Sequence, residues 1–262
     1  MREPGLEEAI RAAGGVSELA RRLGIAQPSV SNWERVPAER VASVEEATGV
    51  DRVRLRPDLF ADRTPAETVD DVDAARAQEY ALLATLLGGA PDRDFLARLA
   101  RLKGDASALG LAHARLADAA HSADAARLER EYFDLFVGVG RGEVLPYGSY
   151  YLTGFLHERP LARVRGDLAD LGVTRAEDEC EPEDHLAILC EVMAGLAGGK
   201  FGSAADDRRR AEQQFFDKHL APWARRFFAD LERAEAADFY RAVAAVGATF
   251  IDIETEAFAL PS

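Results

Sequence analysis

Helical periodicity runs through almost the whole 262-residue chain, and strand-like alternation is nearly absent. Between positions 74 and 87 the apolar groups Tyr80, Leu82, Leu83, Leu86 and Leu87 recur one, three and four apart, so they share one side of a helix. With almost no strand-like alternation elsewhere to supply a sheet, this period points to an all-α fold. The larger helices are expected at 74–87, 95–102, 106–120, 125–136, 159–171, 183–196, 207–220, 222–234 and 236–254. Shorter ones precede them in the first sixty residues. Arg63–Asp73 is polar, contains Pro65 and has few large apolar groups, so it reads as a linker. The expected organisation is a small module over residues 1–60, a linker over 61–73 and a helical bundle over 74–262.

Hydrophobic residues make up 48% of the chain, enough to build a sizeable core. No run of 18 apolar residues exists, so no membrane span is expected, and the first residues lack the apolar stretch of a secretory leader. Cys180 and Cys190 are too few for a disulfide framework. Together these predict a protein of a reducing cytoplasm.

Charge divides unevenly. Residues 1–60 carry nine Arg against ten Asp/Glu, a net of −1, and the remainder carries 23 Lys/Arg against 36 Asp/Glu, a net of −13. Phosphate neutralisation supplies most nucleic-acid affinity, so any contact with DNA is confined to the first sixty residues. The acidic remainder suits a cationic partner.

The segment Gly15–Arg35 has the ingredients of a helix-turn-helix. Ser17 is placed to cap a helix that buries Leu19, Ala20 and Leu23, and Gly24 supplies the positive φ of the turn. Ile25, Val30 and Trp33 pin a second helix against the first. Gln27, Ser29, Ser31 and Asn32 then face outward, short hydrogen-bonding groups that suit base edges and phosphates, with Arg35 beyond them. A small three-helix domain without a DNA role is the alternative. Leu19–Trp33, with Val36–Gly49 and the Leu-Arg-Pro-Asp-Leu run at Leu55–Leu59, resembles the YdaS/Cro-type antitoxin and repressor module. The resemblance covers about residues 5–60 and implies sequence-specific DNA binding, ordinarily by a homodimer.

Beyond the linker no constellation for chemistry is present: no Walker-type phosphate loop, no His-Glu-x-x-His, no CxxC pair. Cys180, His185 and Cys190 are five apart, whereas metal knuckles place ligands two to four apart. A non-enzyme without metal or cofactor is expected. Three segments stand out. Glu131–Gly138 is an apolar helix end with Tyr132, Leu135 and Phe136. Leu145–Leu152 is a Pro/Gly loop with three tyrosines. Glu181–Met193 opens a helix with Pro182 and acids in its first turn. The residues alone leave two accounts open: packing aromatics with capping acids, or a trap for a peptide both apolar and arginine-bearing.

Taken in order, Tyr132, Leu135 and Phe136, then Pro146 to Ser149 and Tyr151, then Glu181, Pro182, Asp184 and His185 resemble the signature of the TorD/DmsD/NarJ redox-enzyme maturation chaperones. Phe215–Val243 is similar to that family's closing helices. The resemblance spans about residues 75–255. It implies an all-α chaperone that binds the twin-arginine signal peptide of a molybdenum-cofactor enzyme precursor before export. The implied groove is bordered by Tyr147 and Tyr151 for apolar contact, Asp184 for charge pairing and His185 for a hydrogen bond to peptide backbone. The alternative function is a transcriptional regulator whose helical domain dimerises or senses a client or ligand.

Overall fold

The computed structural model describes residues 3–56, 70–174, 181–201 and 205–260, and falls into two compact units, Met1–Thr68 and Val69–Ser262. Among the described residues every regular element is helical, and the one β-type pairing is an isolated antiparallel bridge between Tyr147 and His185. The all-α expectation is met.

The smaller unit contains α1 (Pro4–Ala13), α2 (Val16–Arg22), α3 (Gln27–Ser31), a 3-10 turn (Ala38–Arg40), α4 (Val41–Thr48) and α5 (Arg52–Leu55). Ala13, Leu19, Ala20 and Val30 form one buried cluster, with Ile25 and Trp33 packed against it. Leu6, Ala9, Val36, Val41, Val44, Val50 and Leu55 form a second. The turn between α2 and α3 depends on Gly24 at φ 65°, as expected. Ser17 does not cap α2. Gly15 is the N-cap residue and Ser17 lies inside the helix, because the chain leaves α1 through the left-handed Gly14 and enters α2 two residues sooner. The Pro57–Phe60 part of the signature lies outside the described residues.

The larger unit contains α6 (Asp71–Gly88), α7 (Arg93–Leu99), α8 (Ala108–Ser122), α9 (Ala125–Tyr132) and a π-helical turn (Phe133–Val137). After these come α10 (Gly148–Thr153), α11 (Arg159–Asp170), α12 (Leu186–Ala197), α13 (Ala205–His219), α14 (Ala224–Arg233) and α15 (Phe239–Ala259). Of the expected linker, residues 61–69 lie outside the described residues. Asp71–Asp73 already form the first turn of α6, with the Asp70 side chain accepting from the Asp73 amide at 2.7 Å.

The core explains the order of layers. α12 packs along α6, α14 along α15, and α15 along α8. α12 is apolar nearly all round, burying Leu186, Leu189, Cys190, Val192, Met193 and Leu196, which is what a central helix requires. α6, α13 and α15 are joined by an ionic cluster at the core's edge. Arg76 donates to Glu254 at 2.7 and 2.8 Å and to Glu212 at 2.8 Å, and Tyr80 Oη donates to Glu254 at 2.8 Å. Both carboxylates are fully buried.

Two expected elements differ. The tyrosine segment is not simply a loop, since its second half forms α10. The helix expected from Glu183 starts at Leu186, because Pro182–Asp184 turn instead and His185 takes the N-cap position, its Nδ1 accepting from the Ala187 amide at 3.1 Å.

Candidate functional site

Pro146–Tyr151 and Glu181–His185 lie side by side although some 35 residues separate them. The Pro146 carbonyl accepts from the Leu186 amide at 2.8 Å and the Asp184 carbonyl from the Gly148 amide at 2.9 Å, so the two segments are stitched through backbone. The side chains tighten the seam. Asp184 Oδ2 accepts from the Ser149 amide at 2.7 Å, at the start of α10, and the Tyr147 ring meets His185 edge-on with centroids 5.1 Å apart. Tyr147 Oη donates to Glu181 at 2.5 Å, and burial with the Glu181 charge pushes the phenol well above its usual range.

The π-helical turn brings in the third signature segment. Asp134 and Leu135 carbonyls accept from the Glu143 and Val144 amides at 3.1 and 2.8 Å, which fixes the strip leading to Pro146. Gly142 is required there, because a Cβ would sit 2.5 Å from the Phe136 carbonyl carbon. Tyr132 is half-buried and donates to the Leu87 carbonyl at 3.1 Å, and burial together with the Glu181 charge raises its phenol above the usual range.

Not every expected residue faces outward. Leu135 and Phe136 are core residues, the latter against Tyr240 with centroids 5.2 Å apart. Pro146 and Ser149 are buried. Asp184, expected to pair with a cation, is 1% exposed and holds α10 in place, and His185, expected to reach a peptide backbone, is 4% exposed and caps α12. Burial removes both from direct contact with anything outside. Glu181 is exposed, and Tyr147 and Tyr151 are half-buried, so these keep a surface-facing edge. Of the soft-ligand trio, Cys180 lies outside the described residues and Cys190 is fully buried, its thiol pushed up by desolvation.

One group of side chains was not anticipated. Tyr151 stacks on Trp223 with centroids 5.3 Å apart, its Oη donates to Asp230 at 3.0 Å, and the Arg226 guanidinium lies over its ring. Trp223, Arg226 and Asp230 stand at i, i+3 and i+7 at the start of and along α14, a spacing that places them on one face and is readable in sequence. Only the tertiary position of α10 reveals what that face covers. Leu152 and Phe155, 42% and 71% exposed, continue the surface beyond the tyrosines.

In the smaller unit Gln27, Ser29, Asn32 and Arg35 are exposed and Ser31 is partly so. Gln27 Nε2 donates to Ser31 Oγ at 3.0 Å along α3. The helix is shorter than expected: Asn32 is its C-cap residue, and Trp33 and Arg35 follow it.

Residues 102–229 match the family model of the nitrate reductase delta subunit, and residues 6–64 match that of the bacterial toxin YdaS. Both resemblances read in the sequence are thereby upheld: the larger unit is similar to the nitrate reductase delta subunit family, the smaller to the YdaS module. Among individual proteins, the chaperone protein TorD of Vibrio cholerae is 31% identical over 129 residues, 47% of this chain and 59% of that protein. TorD of Aliivibrio fischeri is 26% identical over 135 residues, 49% of this chain and 63% of that one. A Haemophilus influenzae protein described as the Tat proofreading chaperone DmsD is 28% identical over 119 residues, 45% and 55% of the two chains. The chain thus spans 59% of the length of its Vibrio cholerae relative. A crystal structure described as a redox enzyme maturation protein from Archaeoglobus fulgidus matches with TM-score 0.45 at 21% identity, covering 68% of this chain and 93% of that one.

Proposed function

We propose that the larger unit is a chaperone for one molybdenum-cofactor oxidoreductase, which it holds as a precursor in the cytoplasm by the twin-arginine signal peptide before export. The observation that carries this reading is the joining of Pro146–Tyr151 to Glu181–His185 through backbone and side-chain hydrogen bonds, within the residues 102–229 that match the nitrate reductase delta subunit model. The surface there binds rather than reacts: it offers tyrosine edges, the exposed carboxylate of Glu181, Asp230 on α14 and the exposed Leu152 and Phe155. Apolar groups next to carboxylates suit a peptide in which arginines precede an apolar run. No catalytic step and no cofactor of its own is assigned to the chain.

The smaller unit is proposed as a DNA-binding head working as a dimer. Its support is the exposed polar face of Gln27, Ser29 and Asn32 on and after a helix that follows a glycine turn. A regulator whose larger unit only dimerises or senses a ligand is the competing reading, and the same face favours it.

Affinity capture of the tagged chain from its native cells, with mass spectrometry of the retained proteins, tests the first reading. A molybdoenzyme precursor with its leader attached is the expected result. Retention of operator DNA with no such precursor overturns the chaperone and leaves the regulator.

A further inference from the structure

Consecutive tyrosines at the surface of α10 each carry a guanidinium belonging to this chain. Arg141 lies over the Tyr150 ring at 5.1 Å and Arg226 over the Tyr151 ring at 5.0 Å. The two rings are 5.8 Å apart and stand at 89° to each other. Arg141 also donates to Tyr150 Oη at 2.7 Å, and Arg226 donates to the Tyr151 carbonyl.

In a unit with 34 Asp/Glu against 22 Lys/Arg, Arg76, Arg165 and Arg225 each find a carboxylate within 3 Å. Among the described residues Arg141 and Arg226 form no ion pair, although both are exposed. They rest on aromatic faces instead, as guanidinium does when a ring offers a flat electron-rich partner. Each contact at an exposed site is weak, worth about a factor of three in an equilibrium, so an arriving guanidinium of equal fit can displace it.

We infer that Tyr150 and Tyr151 form a pair of guanidinium seats which Arg141 and Arg226 fill in the free chain, and which two neighbouring arginines of a client peptide take over. The inference rests on the peptide-binding reading and specifies how that site recognises its partner. Side chains of successive residues in an extended peptide diverge, and the seats diverge likewise, one approached from the loop after the π-helical turn and the other from α14. Asp230, bonded to Tyr151 Oη, adds a carboxylate beside one seat. The resident arginines thereby act as internal competitors. They keep the tyrosine faces covered in the free chain and admit only a ligand that can replace both.

The test uses the full chain and fluorescence anisotropy with two dye-labelled peptides, one with Arg-Arg before an apolar run and one with Lys-Lys in its place. The proteins are the unaltered chain, Arg141→Gln, Arg226→Gln, the double variant, and the double variant with Tyr151→Leu. About tenfold tighter binding of the Arg-Arg peptide by the double variant is expected, with a distinctly smaller gain for Lys-Lys, since an ammonium stacks less well than a planar guanidinium. The Tyr151→Leu addition should abolish most of that gain. Equal gains for both peptides would mean that only charge repulsion had been relieved, and would overturn the seats. Binding of Arg-Arg peptide by the unaltered chain with no gain in any variant also overturns them, while leaving the chaperone reading standing. If neither the unaltered chain nor any variant binds, it is the peptide-binding reading itself that fails. Arg141→Gln alone, in an exposed loop, preserves the test if changes at Arg226 disturb folding.

Discussion

Asp184 shows how burial decides what a carboxylate does. At 1% exposure it cannot meet an incoming arginine, yet one oxygen receives the Ser149 amide and so fixes where α10 begins. Its other oxygen and Ser149 Oγ are buried without a hydrogen-bond partner among the described groups, which makes the position sensitive to what replaces it. Asp184→Asn keeps an oxygen for the Ser149 amide and should change unfolding free energy by less than about 1 kcal/mol. Asp184→Ala strands that amide and should cost about 1–3 kcal/mol. Denaturant titration of both variants separates these cases. Equal, large losses in the two would show that the ionised carboxylate, not the acceptor, is what the fold requires. The distinction matters for any peptide-binding measurement on Asp184, because a loss of affinity in the alanine variant would reflect a displaced α10.

At the scale of elements, the cluster around Arg76 holds α6, α13 and α15 together. Glu212 and Glu254 are fully buried, and burial lifts the Glu212 carboxyl above its ordinary range while the Arg76 charge opposes that rise. Arg76→Met would leave two buried carboxylates short of their cation, and should destabilise the larger unit by about 3–5 kcal/mol. Loss of less than about 1 kcal/mol by thermal or denaturant unfolding would show that the carboxylates find other partners. A second link, between α6 and α8, is pH-dependent. His113 Nε2 is 3.0 Å from both Glu79 oxygens, and that hydrogen bond raises the imidazole above its usual 6.5. A raised folded-state value means the stabilisation is complete below about pH 6.5, the unfolded value, and is lost as pH climbs through the higher folded one. The melting-temperature gap between the unaltered chain and His113→Gln should therefore narrow from pH 6 to pH 9, and a constant gap would remove the charged pair from the account.

These elements also show what the sequence makes legible. The 3.6-residue period located the long helices within a few positions, since each must bury a stripe of its own residues. α10 escaped because GSYYLT is six residues long and its capping carboxylate comes from Asp184, 35 positions away, a partner that local periodicity cannot supply. The same distance hid the fact that Asp184 and His185 face inward. Of the site, the tyrosines and Glu181 were legible as an aromatic-acidic cluster. The contribution of Trp223, Arg226 and Asp230 was visible as spacing but had no meaning until α10 was in place.

For the whole molecule the balance of charge limits what the smaller unit can do. It has cores of its own, around Leu6 and Val44 and around Leu19 and Val30, so it can present α3 as a rigid element. Its first sixty residues carry almost no net charge, nine arginines against ten acids, while residues 61–262 stand at −13 and repel a phosphate backbone. The proposed DNA-binding head must then draw its affinity from few phosphate contacts and from base edges read by the exposed polar face. A shallow salt dependence follows, of two or three phosphates per head, because each neutralised phosphate adds roughly 0.9 to the slope of log affinity on log salt. Asn32→Ala should weaken binding to a selected operator by about 1–3 kcal/mol and leave binding to random duplex nearly unchanged. Arg35→Ala should weaken both alike and lower the salt slope by about one. Electrophoretic titrations at several salt concentrations, on operator and random duplex in parallel, distinguish the two. If Asn32→Ala lowers both affinities equally, the exposed face of α3 contacts phosphate and not bases, and a head with so little positive charge would then have no means of selecting one sequence over another.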